Sequence, residues 1–400
     1  ELTFAHPGSS GLKINGSNYT LIDDLNTLAT DIANDPSGNF ALAGSLNENN
    51  VSYGGAPIKA TFKGVLDGLG HKISNLSINT ENKDHVGLFR DIGTSGSVNN
   101  LRLTNETVVG GGTGVDVGGF AGISYGTLFE DHVHGAVRAG QQGRVGGLVG
   151  HLAKGGTISH SYSAALVADS QTAARIGGIA GEAGAHSSIE FASASGAVNG
   201  ADGTDVGGLV GFSDNATVSD SRSTGAVSDT SSGNVGGLVG VNGGLIEASY
   251  ATGSVTAEAN AHVGGLVGAN HSNIRNTYAT GKAKAGSHSD VGGLAGTNNG
   301  KIATSYSMGK VHGDANGSVG GFVGDNVSDG GITASYWDTS SSGISKKHGA
   351  GNIANKSGIT GLTTAELKSG LPEGFVDAVW SENGTINGGL PYLSALKSTY

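Results

Sequence analysis

Titratable side chains collect where this glycine-rich chain departs from its own pattern. Glu130, Asp131, His132 and His134 stand together, followed by His160 and Tyr162 and then by Asp220 and Arg222. Glycoside cleavage asks for two carboxyl groups roughly 5–9.5 Å apart, one to protonate the leaving oxygen and one to act as nucleophile or base. Glu130, Asp131, His132 and Asp220 are the residues a catalytic reading would use. Adjacent residues of a strand face opposite ways, which separates Glu130 from Asp131. Asp220 lies three repeats on, about 14 Å away at a strand spacing of roughly 4.8 Å, so Glu130 lacks a partner carboxylate.

Binding is the other chemistry on offer. Tyr162, Tyr250, Tyr278, Tyr306 and Tyr336 recur at one place in successive repeats, with His160 and Arg222 beside the column. The last four would make an aromatic strip about 14 Å long at the same spacing, on which sugar rings stack. The same stacking also serves strand cohesion alone, as cross-strand aromatic pairs do. His132 and His134 share a face near Glu130 and His160, yet no HExxH and no calcium loop is present, so no metal is expected. There is no P-loop with lysine and no G-x-S-x-G elbow, and no cofactor is expected. Without cysteine the chain has no thiolate nucleophile, thiolate metal site or disulfide.

What must position these groups is a repeat. The phrase V/I-G-G-[L/I/F]-[V/A]-G begins at Val117, Val145, Ile176, Val206, Val235, Val263, Val291 and Val319, spaced by 28, 31, 30, 29, 28, 28 and 28 residues. A degenerate copy, Val86-Gly87-Leu88-Phe89, precedes them. The longest spacings fall where the polar side chains cluster, so the loops there are enlarged. Within the repeat starting at Val235, three short extended runs, Val235–Val239, Leu245–Thr252 and Ser254–Ala257, are separated by Asn/Gly turns. Short strands that cannot bury an apolar side alone predict an all-β fold: a three-sided parallel β-helix of about 28 residues per turn, right-handed by the general crossover preference.

Composition agrees. Glycine at 74 of 400 residues, with 5 prolines and no triplet period, punctuates turns and tight packing rather than a triple helix. A net charge of −11 argues against a nucleic-acid partner, and no apolar run reaches the roughly 18 residues of a membrane span, so no membrane insertion is expected. No signal peptide opens the chain at Glu1, which reads as a mature or excised segment.

Side-chain direction raises one conflict. The positions two before the tyrosine column carry Glu130 and Asp220, which belong in water, so the tyrosines should point outward and the small residues between them, such as Ser249 and Ala251, inward. Ile246, Ile274 and Ile302 share the tyrosines' parity and yet must be buried. A corner or bulge between isoleucine and tyrosine would reconcile the two.

The phrase resembles the GLUG motif, standing here as Gly147-Leu148-Val149-Gly150, Gly208-Leu209-Val210-Gly211, Gly237-Leu238-Val239-Gly240, Gly265-Leu266-Val267-Gly268 and Gly293-Leu294-Ala295-Gly296. Ser249-Tyr250-Ala251-Thr252-Gly253 and Ser335-Tyr336-Trp337-Asp338 are similar to its flanks and last turn, and the stretch from Phe62 to Ile73 is similar to its opening segment. Gly361 to Leu367, Val379-Trp380 and Pro391-Tyr392-Leu393 look like its closing segment. The resemblance implies a secreted, surface-associated bacterial protein of the filamentous-haemagglutinin or adhesin type, its partner a carbohydrate or a host or bacterial surface glycan, with an outer-membrane secretion partner. A glycan-cleaving hydrolase or lyase and a structural spacer stay open as alternatives. The expected organisation is an N-terminal cap with the first turns (1–85), the repeat helix (86–345) and a C-terminal loop and cap (346–400). A short helix within Leu21–Asn34 should cover one end of the stack, and Thr363–Leu367 the other.

Overall fold

The computed structural model describes residues 11–81, 85–140, 142–169, 174–201, 203–314, 316–327 and 330–399. They form a parallel β-helix in which each turn rests on the next in register. Val235 lies on Val263, Val239 on Val267, Ile246 on Ile274, Tyr250 on Tyr278 and Val255 on Ala283. The three expected runs are present, but two are bent. One turn therefore carries five short strands, Asn234–Gly236, Val239–Asn242, Leu245–Glu247, Tyr250–Ala251 and Val255–Thr256. The Leu245–Glu247 position stacks into a 13-stranded sheet, the Asn234–Gly236 position into 8 strands and the Val239–Asn242 position into 9.

The first bend is made by the glycine pair. A Cβ on Gly237 would overlap the Gly265 carbonyl oxygen of the next turn and touch the Ala251 methyl at 3.0 Å, so successive turns approach too closely there for any side chain. The second bend is the corner that the parity conflict called for. Glu130, His160, Phe191, Asp220, Ala248, Asn276, Thr304 and Ala334 all have φ between 43° and 56°, the left-handed region. Each such residue costs roughly 1–2 kcal/mol of backbone strain, and in six of the eight a hydroxyl at the following position offsets part of it. Ser221 and Ser249 donate to the carbonyls of Ser219 and Glu247, both at 2.7 Å, and accept from the backbone N–H of Ala192 and Ser221 at 3.0 and 3.1 Å. Past the corner, Ile246 faces the bore and Tyr250 faces away from it.

The bore is filled by stacked Val, Leu and Ile, with Val235, Leu238, Val239, Ile246 and Val255 fully buried. One internal column is polar. Asn242, Asn270, Asn298 and Asn326 are buried, and each of the first three donates through Nδ2 to Oδ1 of the next at 2.8, 2.7 and 2.9 Å.

Both ends are closed. Helix α1 (Leu25–Asn34) buries Leu25, Leu28 and Ile32 over the first turns, and the Asp24 carboxylate accepts from Thr27 N–H as its N-cap. It starts later than the expected Leu21 because Ser17–Ile22 is already a strand, paired with Leu12–Ile14. At the far end Trp337 fills the bore, and much of Ser340–Asn355, expected from its Ser, Gly and Lys content as a plain linking loop, crosses the last full turn with Phe322 N–H bonded to Gly349 O at 2.9 Å. Helix α2 (Thr339–Ser342) precedes this crossing and α3 (Thr364–Leu367) follows it. A capping box between Thr363 and Glu366 starts α3. Helix α3 packs on α2 and on Ile359–Leu362, the last rung of the stack, and its buried Leu367 also joins a cluster on the flank of the helix. No helix among the described residues is long and apolar enough to cross a membrane.

Candidate functional site

One column runs along the flank, outside the corner: Lys72, Arg102, His132, Tyr162, Ser193, Arg222, Tyr250, Tyr278, Tyr306 and Tyr336, each register-paired with the next. Its two halves have different fates. Tyr250, Tyr278, Tyr306 and Tyr336 do point away from the bore, but they are only 0–7% exposed. The C-terminal segment returns along them in the direction opposite to the stack, setting Phe375 against Tyr336 and Tyr306 and Trp380 against Tyr306 and Tyr278. Leu367, Leu390, Leu393 and Leu396 complete this second core. The rings stack face to face, 4.7 and 5.1 Å apart. The Tyr336 and Tyr306 hydroxyls donate to the carbonyls of Glu373 and Pro391, both at 2.7 Å. These four tyrosines are therefore a structural ladder, and the expected strip for sugar stacking is occupied by the chain itself.

The other half of the face is open. Phe129 and Phe191 are 37% and 41% exposed, among the few large apolar side chains left in solvent among the described residues. The His160 ring lies on Phe191 at 4.8 Å and tilts toward Phe129 at 5.5 Å, while His132 meets Tyr162 edge-on at 5.9 Å. The corner positions this cluster, since His160 and Phe191 are themselves left-handed corner residues with φ of 52° and 50°. Of the expected binding residues, His160 and Tyr162 join the open patch. Arg222 stands two rungs from Tyr162 at the margin of the covered half. Phe129 and Phe191 were not among the expected site residues. Their signal was a large apolar side chain where the register-matched positions hold Ser159 and Asp220.

The residues of the catalytic reading are not brought together. Glu130 is exposed on the corner, whereas Asp131 is buried in the bore with Oδ1 accepting from Leu101 N–H at 3.0 Å. Asp220 is three rungs along the same corner column, its carboxyl raised by burial and by the neighbouring charges of Glu247 and Glu190. Among the described residues no three His, Asp or Glu side chains gather as a metal site. A second charged group sits on a different flank, where Arg144 bonds Asp116 at 2.5 and 2.8 Å and Glu182 at 3.2 Å, beside a cavity of about 290 Å³. There Arg175 pairs with the same Glu182 and lies 4.1 Å from the Phe212 ring, so the network is internally neutralised.

Two acids in the bore make a prediction. Glu106 is buried with neither carboxyl oxygen hydrogen-bonded, and burial pushes it up to about 8; burial also raises Asp131 well above the usual carboxylate range. Between the unfolded and folded values the folded chain holds the extra proton, so stability falls as pH rises from about 4.5 to about 8 and levels off above, by about 1.4 kcal/mol per pH unit for one such group. Urea unfolding at several pH values is expected to show this decline for the wild type and a slope smaller by about one proton for Glu106→Gln. An unchanged slope would exonerate Glu106.

Comparison with known proteins agrees with the repeat. The model of the GLUG motif matches residues 202–228 and 259–284. Over 156 residues, 39% of this chain, the sequence is 40% identical to halomucin of Haloquadratum walsbyi, and the match spans 1% of that protein. A candidate Gly-rich membrane protein of Evansella cellulosilytica is 36% identical over 67 residues, 17% of this chain and 8% of its own length. Among solved structures, a candidate immunoglobulin A1 protease from Bacteroides ovatus aligns over 96% of this chain and 94% of its own, at 17% identity and a TM-score of 0.47. An IgA1 protease aligns over 86% and 24%, at 18% identity and a TM-score of 0.41. By the register of its own turns the chain is a parallel β-helix, and it carries GLUG motifs.

Proposed function

We propose that this chain is a carbohydrate-binding segment of an extracellular, surface-displayed bacterial protein of the adhesin type, secreted with the help of an outer-membrane partner. The observation that carries this reading is the open aromatic cluster of Phe129, His160 and Phe191 on a face whose other aromatic half the chain has packed away. Apolar rings left in water on a soluble scaffold mark a contact surface, and flat rings flanked by polar groups suit the alternating apolar and hydroxylated faces of sugars. The similarity to halomucin, over a small fraction of that protein, is compatible with a place in a long surface polypeptide.

A glycan-array screen with a parallel assay for reducing-sugar release tests this. Binding without release is expected, and Phe191→Ala should weaken it about tenfold, the size of one lost aromatic contact, while leaving the thermal unfolding midpoint in place because Phe191 is on the surface. Release that disappears in Glu130→Gln or Asp220→Asn would make the chain an enzyme, and silence in both assays would leave a spacer.

A further inference from the structure

The open half of the flank also contains a cavity of about 340 Å³ beside the ring cluster, lined by Arg102, Leu103, Thr104, His132, Val133, His134 and Tyr162. The backbone of Leu103 and Val133 underlies it, their side chains being turned into the bore, while Arg102 and His134 are exposed at its rim. None of the lining residues is acidic. Arg102 forms no ion pair with the described residues, in contrast to Arg144, Arg175 and Arg275, which are each held by a carboxylate. His132 is held below the ordinary imidazole range by burial and by Arg102, against the pull of Glu130, so it is neutral at pH 7 and the fixed charge of the cavity is the guanidinium. Lys72 is register-paired with Arg102 on the neighbouring turn, so a second cation follows at the rung spacing of about 4.8 Å.

We infer that this cavity is a subsite for the carboxylate of an acidic sugar, with the Arg102 guanidinium as its anchor and the His132 and Tyr162 rings against the sugar ring. A guanidinium presents a planar fork that matches a carboxylate, and a charge-assisted pair of this kind is about twice as strong as a neutral one. Lys72 meets a second carboxylate when the acidic sugars are consecutive. The inference rests on the glycan-binding reading and narrows it to carboxylated chains, of which oligouronates and sialylated glycans are the two sources.

The test is calorimetric titration of the full chain with trigalacturonate and with sialyllactose, each against its uncharged counterpart, galactotriose or lactose. At least one acid is expected to bind about tenfold more tightly than its neutral counterpart, the worth of one charge-assisted pair, and raised salt should narrow the gap. Arg102→Gln should erase that preference and keep the neutral affinity, and Arg102→Lys should restore part of it. Which acid wins identifies the source. Equal affinity for acid and neutral sugars in the wild type would overturn the carboxylate subsite while leaving glycan binding intact. A preference that survives in Arg102→Gln would overturn the assignment to this cavity. If the folded wild type bound no sugar, acid or neutral, the glycan reading would fall and the subsite with it.

Discussion

Trp380→Ala is expected to free the C-terminal segment from the flank while leaving the helix wound. Trp380 is fully buried, stacks on Phe375 at 4.4 Å and contacts Tyr278 and Tyr306. Deleting a buried tryptophan costs roughly 3–5 kcal/mol, which is large for a segment that supplies six of the ten buried residues of this second cluster. The bore has a separate core that does not include these residues. Limited proteolysis should therefore show rapid cleavage between Leu367 and Leu396, and circular dichroism should keep its β signature. Trp337, buried in the bore, stays as an internal fluorophore that reports on the intact turns. If cleavage stayed as slow as in the wild type, the segment would be held by something other than its tryptophan.

The second large effect is expected within the bore, at Asn270. Its Nδ2 donates to Asn298 Oδ1 at 2.7 Å and Ser272 O at 3.1 Å, and its Oδ1 accepts from Asn242 Nδ2 at 2.8 Å and Ser272 N–H at 3.3 Å. Asn270→Ala would leave Ser272 N–H without this acceptor and Asn242 Nδ2 with only a 3.5 Å contact to Asn273 O, while Asn298 Oδ1 keeps Gly300 N–H and Ser272 O keeps Lys301 N–H. Each unmet buried group costs about 1–3 kcal/mol, so a loss of several kcal/mol is expected in urea or thermal unfolding. Asn242 begins the ladder and has an asparagine on one side only, since its neighbour on the other side is Ser213. Asn242→Ala should accordingly cost less than Asn270→Ala. Equal losses would mean that the amides act singly and not as a connected column.

Much of the architecture was legible because identical residues recur at a constant interval and a strand alternates its faces. The conflict between Ile246 and Tyr250 even located the corner, since no straight strand could bury one and turn the other outward. The Gly-Gly bend was less visible, because a glycine pair reads equally well as turn punctuation or as close packing between turns. Asn242 was taken for a turn residue for a related reason: asparagine is common in turns, and only the stacking of neighbouring turns reveals the amide ladder. The largest discrepancy concerns Tyr250 through Tyr336. Nothing inside a repeat reports on a segment that returns from outside it, and the clue lay in the C-terminal stretch, where Leu367, Phe375, Trp380, Leu390, Leu393 and Leu396 are more apolar surface than an end cover needs. Phe129 and Phe191 carry no charge to mark them, and their signal was an apolar side chain at and beside a wet corner.

The register of the turns gives the molecule an adjustable reach. Each turn meets its neighbour through the same contacts, so a whole turn inserted below Val206 would find complementary surfaces above and below. The strap that covers Tyr250 to Tyr336 is anchored to the last turns and measures its distance from that end. Added turns would lengthen only the open face, between the ring cluster and the covered ladder, and would leave both ends unaltered. Extension of the exposed surface is in this way uncoupled from folding of the termini, so a lineage of such chains can grow or shorten by recombination between repeats without having to reinvent either end.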